Sequence, residues 1–412
     1  MKKKPHLSAF FSLILSFTLL SAFFSAASGQ ASLSWSVQTV DDYGAAMGNG
    51  YCPIAVDSNN TAHIAYTSWN QTTVSHFTKF FVMHAIWNGT GFSTQKISEG
   101  FAYSLVLDAN GNPHILYGAN GLMYASWTGT EWVSQTVDVN GGGFGMVALD
   151  SHGSPHIAYK GDANTVKYAS WTGTNWNIQT VDKLLDPSQE VPFRLYFALD
   201  KNDTPYIMYS PSSYADYSQA EGIRALNVTL ATYQNSSWKM QPLSLPTPTG
   251  DYGNLVVDSK GGLHSIFTKH HYVSSEDKTI LSTLLYASWN GTGWDTQTVV
   301  SDIVFDSMSL ALDSRDYPHI FTSSGTYARW TGTTWNIQTT NLNPSYLTVD
   351  SSGNPHISYR QGTGSQVIAN IVYATATPTA TPTSTPTYEP PQTNQTETIM
   401  GLAIVVAVLG AA

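Results

Sequence analysis

Charge is scarce in this sequence. Only 11% of its 412 residues are Asp, Glu, Lys or Arg, against roughly 25% in an average soluble protein. The 18 basic and 28 acidic residues give a formal net charge of −10. That balance excludes the basic surface through which proteins bind nucleic acid, so we expect no nucleic-acid partner.

Cysteine is scarcer still, because Cys52 is the only one in the chain. An exported protein is free to use disulfides, but a single cysteine excludes any disulfide within the chain. Stability must therefore come from burial and from the way the architecture closes. We expect Cys52 to be a small buried residue and not a catalytic thiol.

Residues 1–31 have the three-part pattern of a secretory signal peptide. Lys2, Lys3 and Lys4 precede an apolar run from Leu7 to Phe24, and small residues follow as far as Ala31. A positive, then apolar, then small sequence is typical of a cleaved leader. The apolar run is long, so an uncleaved anchor is the alternative; both interpretations predict an exported protein.

The C-terminal region changes composition after residue 374. Residues 375–398 are rich in Thr and Pro, which predicts an extended, O-glycosylated stalk. Residues 399–412 are apolar or small throughout. This stretch is shorter than the ~20 residues of a membrane span. We interpret it as the beginning of a truncated transmembrane helix, with a processed anchoring signal as the alternative, and expect a membrane-anchored surface protein.

What the sequence has in abundance is a ten-residue motif with the pattern D-x-x-G-x-P-H-I-x-Y. It reads DANGNPHILY from Asp108, DSHGSPHIAY from Asp150 and DSSGNPHISY from Asp350. Four further copies begin at Asp57, Asp200, Asp258 and Asp313. A second motif, W-x-G-T-x-W or a close variant, follows most copies and begins at Trp87, Trp127, Trp171, Trp289 and Trp330, with a weaker form at Tyr233.

Each repeat predicts four short antiparallel strands. Its segments are rich in β-branched and aromatic residues, and Gly, Asn, Asp and Pro separate them. Seven such units predict an all-β fold, a seven-bladed β-propeller over residues 32–374. The last repeat lacks a fourth strand, whereas the N-terminal segment Trp35–Val40 matches the fourth strand of other repeats. We therefore expect the N-terminal strand to complete the last blade and the propeller to be a monomer.

The repeated Asp and His residues are expected to build the fold. An Asp side chain accepts backbone N–H bonds across a tight turn, and a His can bridge to a neighbouring strand. The alternative is one calcium ion per loop, because Asp108, Asn110 and Gly111 resemble part of a calcium loop; the remaining oxygen ligands are missing. We expect no cofactor. The structural set is Asp57, His63, Asp108, His114, Asp150, His156, Asp258, His264, Asp313, His319, Asp350 and His356.

Strand direction divides the connections between two faces. The two short turns of each repeat lie on one face, here called the turn face, and the variable connections lie on the other, here called the loop face. Variable loops on a rigid scaffold are where binding surfaces form. The candidate ligand-binding residues on the loop face are Phe80, Phe81, Tyr103, Phe144, Arg194, Tyr214, Tyr217, Tyr252, His271 and Tyr272.

The two motifs resemble those of secreted and cell-surface β-propeller repeat proteins of archaea and bacteria, over roughly residues 34–374. The resemblance implies fold and location more than activity, because propellers carry unrelated functions. Sialidase-type propellers are distantly similar, but their S-x-D-x-G-x-x-W motif is not met.

Extracellular recognition or adhesion, with a glycan or a protein as partner, is the favoured function. A sialidase-like hydrolase, a polysaccharide lyase and a structural envelope component are the alternatives. No catalytic residue is assigned.

Overall fold

The structure is a computed structural model. It describes residues 33–45, 51–69, 79–183, 194–210, 228–243, 249–272, 280–291, 293–304, 307–362 and 368–378. These residues belong to one compact unit that spans Ser32–Thr379. The predicted signal peptide and the apolar C-terminal segment lie outside the described residues, as does the predicted stalk beyond Pro378.

The described chain folds into seven four-stranded antiparallel blades, which confirms the predicted propeller. Blades 1 to 4 take their strands in chain order. Blade 1 contains β2 (Ile54–Val56), β3 (Ala62–Trp69), β4 (Phe80–Trp87) and β5 (Phe92–Glu99). Blade 2 contains β6 (Phe101–Leu107), β7 (Pro113–Ala119), β8 (Gly121–Trp127) and β9 (Trp132–Asp138). Blade 3 contains β10 (Gly145–Leu149), β11 (Pro155–Lys160), β12 (Thr165–Trp171) and β13 (Trp176–Lys183), with the 3-10 turn Asp162–Asn164 before β12. Blade 4 contains β14 (Leu195–Leu199), β15 (Pro205–Tyr209), β16 (Thr229–Gln234) and β17 (Ser237–Pro242).

Blades 5 and 6 repeat this order, and blade 7 recruits the N-terminal strand. Blade 5 contains β18 (Thr249–Val257), β19 (Leu263–Tyr272), β20 (Ile280–Trp289) and β21 (Trp294–Ile303). Blade 6 contains β22 (Met308–Leu312), β23 (Pro318–Thr322), β24 (Thr326–Trp330) and β25 (Trp335–Thr339). Blade 7 contains β26 (Tyr346–Val349), β27 (Pro355–Gly362), β28 (Ile368–Pro378) and β1 (Leu33–Ala45).

The two ends of the domain close the ring as predicted. Trp35 pairs with Ala376 and Val37 with Ala374 in the β1–β28 ladder. That ladder continues to Leu33 and Pro378, so β28 extends past residue 374 into the Thr/Pro-rich sequence. A single pairing of Gly44 with Ser68 also joins blade 7 to blade 1. Closure removes the open sheet edges that invite aggregation.

The core lies between neighbouring blades. One cluster joins Leu116 and Tyr124 of blade 2 to Ile157 and Ala169 of blade 3, all of them buried. Burial alternates along the inner strands because successive side chains point to opposite faces of a sheet. β10, for example, alternates buried Gly145 and Val147 with partly exposed neighbours. Each blade therefore packs its two faces against two different blades.

Each repeat aspartate closes the turn between the first and second strands of its blade. In blade 2, Asp108 Oδ1 accepts the backbone N–H groups of Asn110 and Asn112, both at 2.8 Å. The same pair of bonds recurs at Asp57, Asp150, Asp200, Asp258, Asp313 and Asp350. These contacts use one carboxylate oxygen of each repeat aspartate to close its turn.

The repeat histidines of five blades each contact a tyrosine of the third strand, and those of blades 5 and 7 also lie within 3.2 Å of the carboxylate of the turn aspartate. His356 Nδ1 lies 2.7 Å from Tyr373 Oη, and His356 Nε2 lies 3.2 Å from Asp350 Oδ2. Equivalent His–Tyr pairs join His114 to Tyr124, His156 to Tyr168, His264 to Tyr286 and His319 to Tyr327.

Blades 1 and 4 lack this His–Tyr pair, because another residue replaces one or both of its members. In blade 1, His84 replaces the tyrosine, and its Nε2 lies 3.1 Å from His63 Nδ1. In blade 4, Tyr206 replaces the histidine, and Leu230, which pairs with Met208, lies where blade 3 has Tyr168.

Candidate functional site

The starts of the seven inner strands converge on a cavity of about 670 Å³ at the loop face. Strand one of each blade begins where the connection from the previous blade arrives, so its first residues lie on that face. All seven blades contribute to the described lining, among others through Tyr51, Tyr103, Phe144, Tyr196, Asn254, Met308 and Leu347. A concave, largely apolar site with a few convergent polar groups is the usual form of a ligand pocket.

Three aromatic rings from blades 1 to 3 form one wall of the cavity. The ring centroid of Tyr51 lies 5.1 Å from that of Phe144 and 6.1 Å from that of Tyr103. The hydroxyl of Tyr103 donates a hydrogen bond of 2.5 Å to the carbonyl of Gly142, which fixes the ring. A β-carbon on Gly118 would lie 2.2 Å from the Tyr103 hydroxyl oxygen, so that glycine makes room for the ring.

Burial keeps the phenols and the thiol of this region neutral. It raises the pKa of Tyr103 and holds the pKa of Tyr346 well above its ordinary value. It also raises the pKa of the Cys52 thiol to about 12, although Ser358 and Arg360 act in the opposite direction. Tyr103 and Tyr346 are therefore poorly suited to accepting a proton as a general base.

Three cationic side chains, Lys160, Arg194 and Arg360, also line the cavity. Arg194 precedes β14, and its carbonyl accepts the N–H of Ser210. Lys160 ends β11 at the loop face, and its backbone N–H bonds to the Phe144 carbonyl at 3.0 Å. Arg360 lies in β27, where it pairs with Ile371. No carboxylate occurs among the described residues that line the cavity.

The structure brings together three of the predicted ligand-binding residues: Tyr103, Phe144 and Arg194. Phe80 and Phe81 lie at the start of β4 and are not among the lining residues. The Phe80 ring instead packs 4.7 Å from that of Phe101, and Lys96 Nζ lies 3.7 Å from the centre of the Phe81 ring.

The remaining predicted residues are described in part or not at all. The backbone of Tyr252 lies in β18, opposite Phe267. His271 and Tyr272 end β19, at the loop face, opposite Leu281 and Ile280. The side chains of these three are outside the description, and Tyr214 and Tyr217 lie outside the described residues altogether.

Sequence reasoning missed Tyr51, Lys160, Tyr196, Tyr346 and Arg360. A signal for two of them was present in the repeat itself. The position ten residues after the turn aspartate holds Lys160 in blade 3 and Arg360 in blade 7. The other five copies have a small residue there: Thr67, Gly118, Ser210, Thr268 and Ser323.

Within the described part of the chain, no group of three or more His, Cys, Asp or Glu side chains is placed to hold a metal ion. Nor does any helix there have the length and apolarity needed to cross a bilayer.

No protein-family model and no curated protein matches the sequence. Solved structures do match its fold. A PL25 polysaccharide lyase, an ulvan lyase bound to GlcA(1-4)Rha3S, has a TM-score of 0.53 and 11% identity, over 81% of this chain and 94% of the other. Virginiamycin B lyase from Staphylococcus aureus has a TM-score of 0.53 and 9% identity, over 84% and 99%. YCF48 bound to D1 peptide has a TM-score of 0.52 and 10% identity, over 84% and 96%. At such identities the likeness concerns the fold alone, and similar propellers serve both binding and catalysis.

Proposed function

We propose that this protein is a recognition module that binds a glycan in the central cavity at its loop face. The observation that carries the proposal is the wall of Tyr51, Tyr103 and Phe144 beside the polar donors of the cavity. Aromatic rings present a negative face that attracts the weakly positive C–H groups of a sugar ring. The surrounding hydroxyl, amide and cationic groups supply hydrogen bonds for the sugar oxygens.

Two of the proteins with a similar fold have a bound ligand. The ulvan lyase is bound to a glycan, and YCF48 is bound to a peptide. A peptide is therefore the second class of partner to test. Catalysis ranks lower because the raised pKa values of Tyr103 and Tyr346 make both phenols poor general bases and the described lining holds no carboxylate.

The proposed location is the cell surface, with the propeller carried on the C-terminal stalk. β28 ends at Pro378, opposite Leu33, at the turn face. The chain thus leaves the propeller on the face opposite the cavity mouth.

A glycan array and a peptide array probed with the whole chain would test the function. We expect binding to one or a few glycans, with Phe144→Ala and Tyr51→Ala each lowering affinity about tenfold or more. Tyr43→Ala is the matched control, because Tyr43 is 48% exposed and is not among the cavity-lining residues. It should change affinity less than twofold.

Other outcomes would identify the alternatives. Time-dependent cleavage of the bound glycan would replace recognition with lyase or hydrolase activity. Binding that the two cavity variants leave unchanged would overturn the assignment of the site. The absence of binding in both arrays would favour a structural role in the cell envelope.

A further inference from the structure

The charge of the cavity is opposite to that of the protein. The chain carries 28 acidic and only 18 basic residues. The described lining of the cavity nevertheless contains Lys160, Arg194 and Arg360 and no Asp or Glu. In a site with low-dielectric walls, such a local excess of one sign concentrates ligands of the other sign. The described lining of the cavity thus has a net positive charge, whereas the whole chain has a net negative one.

The scaffold does not require a cation at two of these positions. Lys160 and Arg360 occupy the repeat position that holds a small residue in the other five blades. All seven blades have the same strand order and the same turn contacts, so a small residue satisfies the fold there. In blade 2 that residue is Gly118, which leaves space for the Tyr103 ring. The propeller therefore forms without a cation at this position in five of its seven blades.

The third cation, Arg194, also lies at a repeat position that lines the cavity. Arg194 lies six residues before the turn aspartate of its repeat, where blades 1 and 3 have Tyr51 and Phe144. Those two rings belong to the aromatic wall, so the position faces the cavity in at least three blades. In blade 4 the wall therefore continues with a guanidinium group. Guanidinium groups bind planar carboxylates and sulfates through paired N–H donors.

The cations lie on two sides of the ring. Blades 3 and 4, which carry Lys160 and Arg194, are neighbours in the ring. Blade 7, which carries Arg360, lies three blades from blade 4 in one direction around the ring. In the other direction, past blades 1 and 2, it lies three blades from blade 3. A ligand that contacts both sides must present anionic groups at separate points along its length. The aromatic wall of blades 1 to 3 lies between them.

We propose that the ligand is an acidic polysaccharide, whose carboxylate or sulfate groups bind Lys160, Arg194 and Arg360 while its sugar rings pack on Tyr51 and Phe144. This inference rests on the proposed glycan-binding function and adds the chemical class of the glycan. A repeating acidic sugar supplies anionic groups at intervals, which suits cations on two sides of one cavity. A neutral glycan would leave the three cations without a role in binding.

The test compares polymers that differ only in charge. Binding of the whole protein is measured by calorimetry with polygalacturonate against its methyl ester, and with dextran sulfate against dextran. We expect the charged member of at least one pair to bind about tenfold or more tightly than its neutral partner. Affinity for it should fall as salt rises, because exposed charge pairs are screened. Preference within the first pair assigns carboxylate, and preference within the second assigns sulfate.

Charge-removing variants locate the site. Arg194→Gln, Arg360→Gln and Lys160→Gln should each weaken binding of the charged polymer about fivefold or more. Lys201→Gln is the matched control, because it makes the same change in net charge at an exposed residue of the turn face. It should leave binding within twofold. Circular dichroism melting of each variant establishes that the fold is retained.

The outcomes separate this inference from the function on which it rests. Equal binding of both members of each pair, still lost in Phe144→Ala, would overturn the acidic class and keep glycan recognition. Equal weakening by Lys201→Gln and Arg194→Gln would show that charge acts through the whole surface and would also overturn the inference. No binding of any glycan, on the array or in solution, would remove both proposals.

Discussion

Trp35 in β1 packs edge-on against Tyr327 in β24, with ring centroids 5.7 Å apart and planes at 83°. The two residues come from opposite ends of the domain, yet their contact reproduces those between blades joined by continuous chain. Trp335 packs on Tyr286 at 5.5 Å, Trp238 on Tyr168 at 5.1 Å, and Trp176 on Tyr124 at 5.6 Å. The tyrosines are those that bond the repeat histidines. Each interface therefore couples the turn, the second and third strands, and the next blade.

Trp35→Ala should destabilise the ring as much as the same change inside it. We expect a loss of about 3 kcal/mol in the free energy of unfolding, because a large aromatic contact is replaced by a cavity. Trp335→Ala should cost a similar amount. Denaturant unfolding followed by tryptophan fluorescence measures both.

Val37→Ala is the control for the closing strand, because Val37 is 49% exposed in the same β1. Its effect should stay within about 0.5 kcal/mol. A Trp35→Ala variant as stable as Val37→Ala would show that the N-terminal strand contributes little to closure.

A bond between neighbouring turns predicts the effect of changing Asp203. The backbone N–H and the hydroxyl of Ser151 both donate to the Asp203 carboxylate at 2.7 Å, from blade 3 to blade 4. Asp203 has a positive φ of 62° at a turn position where blade 3 has Gly153. Asp203→Ala should lose the bonds and keep the strain, at a cost of about 1–2 kcal/mol.

Asp203→Gly separates the two effects, because glycine adopts this backbone conformation without strain. We expect Asp203→Gly to be more stable than Asp203→Ala by about 0.5–1 kcal/mol in thermal unfolding. Equal stability of the two variants would mean that backbone strain is absent from this turn.

The blade count and the closing strand were predictable because the repeat contains the information locally. Seven turn aspartates define the period, and Trp35–Val40 matches an outer strand residue by residue. Because successive strands of a blade run in opposite directions, the strand order alone assigns every connection to the turn face or the loop face. The hydrogen bonds of Asp108 and its counterparts follow from the turn at the start of the same ten-residue motif.

The cavity was predictable only in part because it depends on contacts across the ring. A register shift in β6 between Ala102 and Ser104 places Tyr103 in the aromatic wall. No sequence pattern predicted this shift. Lys160 and Arg360 directly follow the ten-residue motif, and neither was among the predicted ligand-binding residues. Phe80 and Phe81 lie on the loop face as expected, but their contacts are with Phe101 and Lys96.

Gly118→Ala should impair the cavity although Gly118 itself does not line it. The new β-carbon would lie 2.2 Å from the Tyr103 hydroxyl oxygen and 2.7 Å from the adjacent ring carbon. The Tyr103 ring must therefore move and lose its bond to the Gly142 carbonyl. We expect a stability loss of about 1–3 kcal/mol and weaker glycan binding.

Gly91→Ala is the matched control, because no atom lies within 4 Å of a β-carbon built there. It should leave glycan affinity unchanged and stability within about 0.5 kcal/mol. Unchanged affinity in Gly118→Ala would show that the position of the Tyr103 ring does not affect binding.

The buried histidines predict that stability falls as the solution is acidified below about pH 6.5. Burial lowers the pKa of His319 to about 4, although Asp313 acts to raise it, and lowers the pKa of His84 to about 3. Burial also lowers the pKa values of His63, His114, His156 and His356. Between the folded and unfolded pKa values the unfolded chain binds more protons, so acid favours unfolding. Each such histidine contributes a slope of up to about 1.4 kcal/mol per pH unit.

Replacing one of these histidines should reduce that slope. His319→Gln is expected to be less stable at pH 7, because Tyr327 loses its partner at 2.6 Å. Between pH 6.5 and 5, however, its free energy of unfolding should fall by up to about 1.4 kcal/mol per pH unit less steeply than that of the parent. Denaturant unfolding at each pH gives the comparison, and equal slopes in the parent and His319→Gln would contradict a neutral, buried His319.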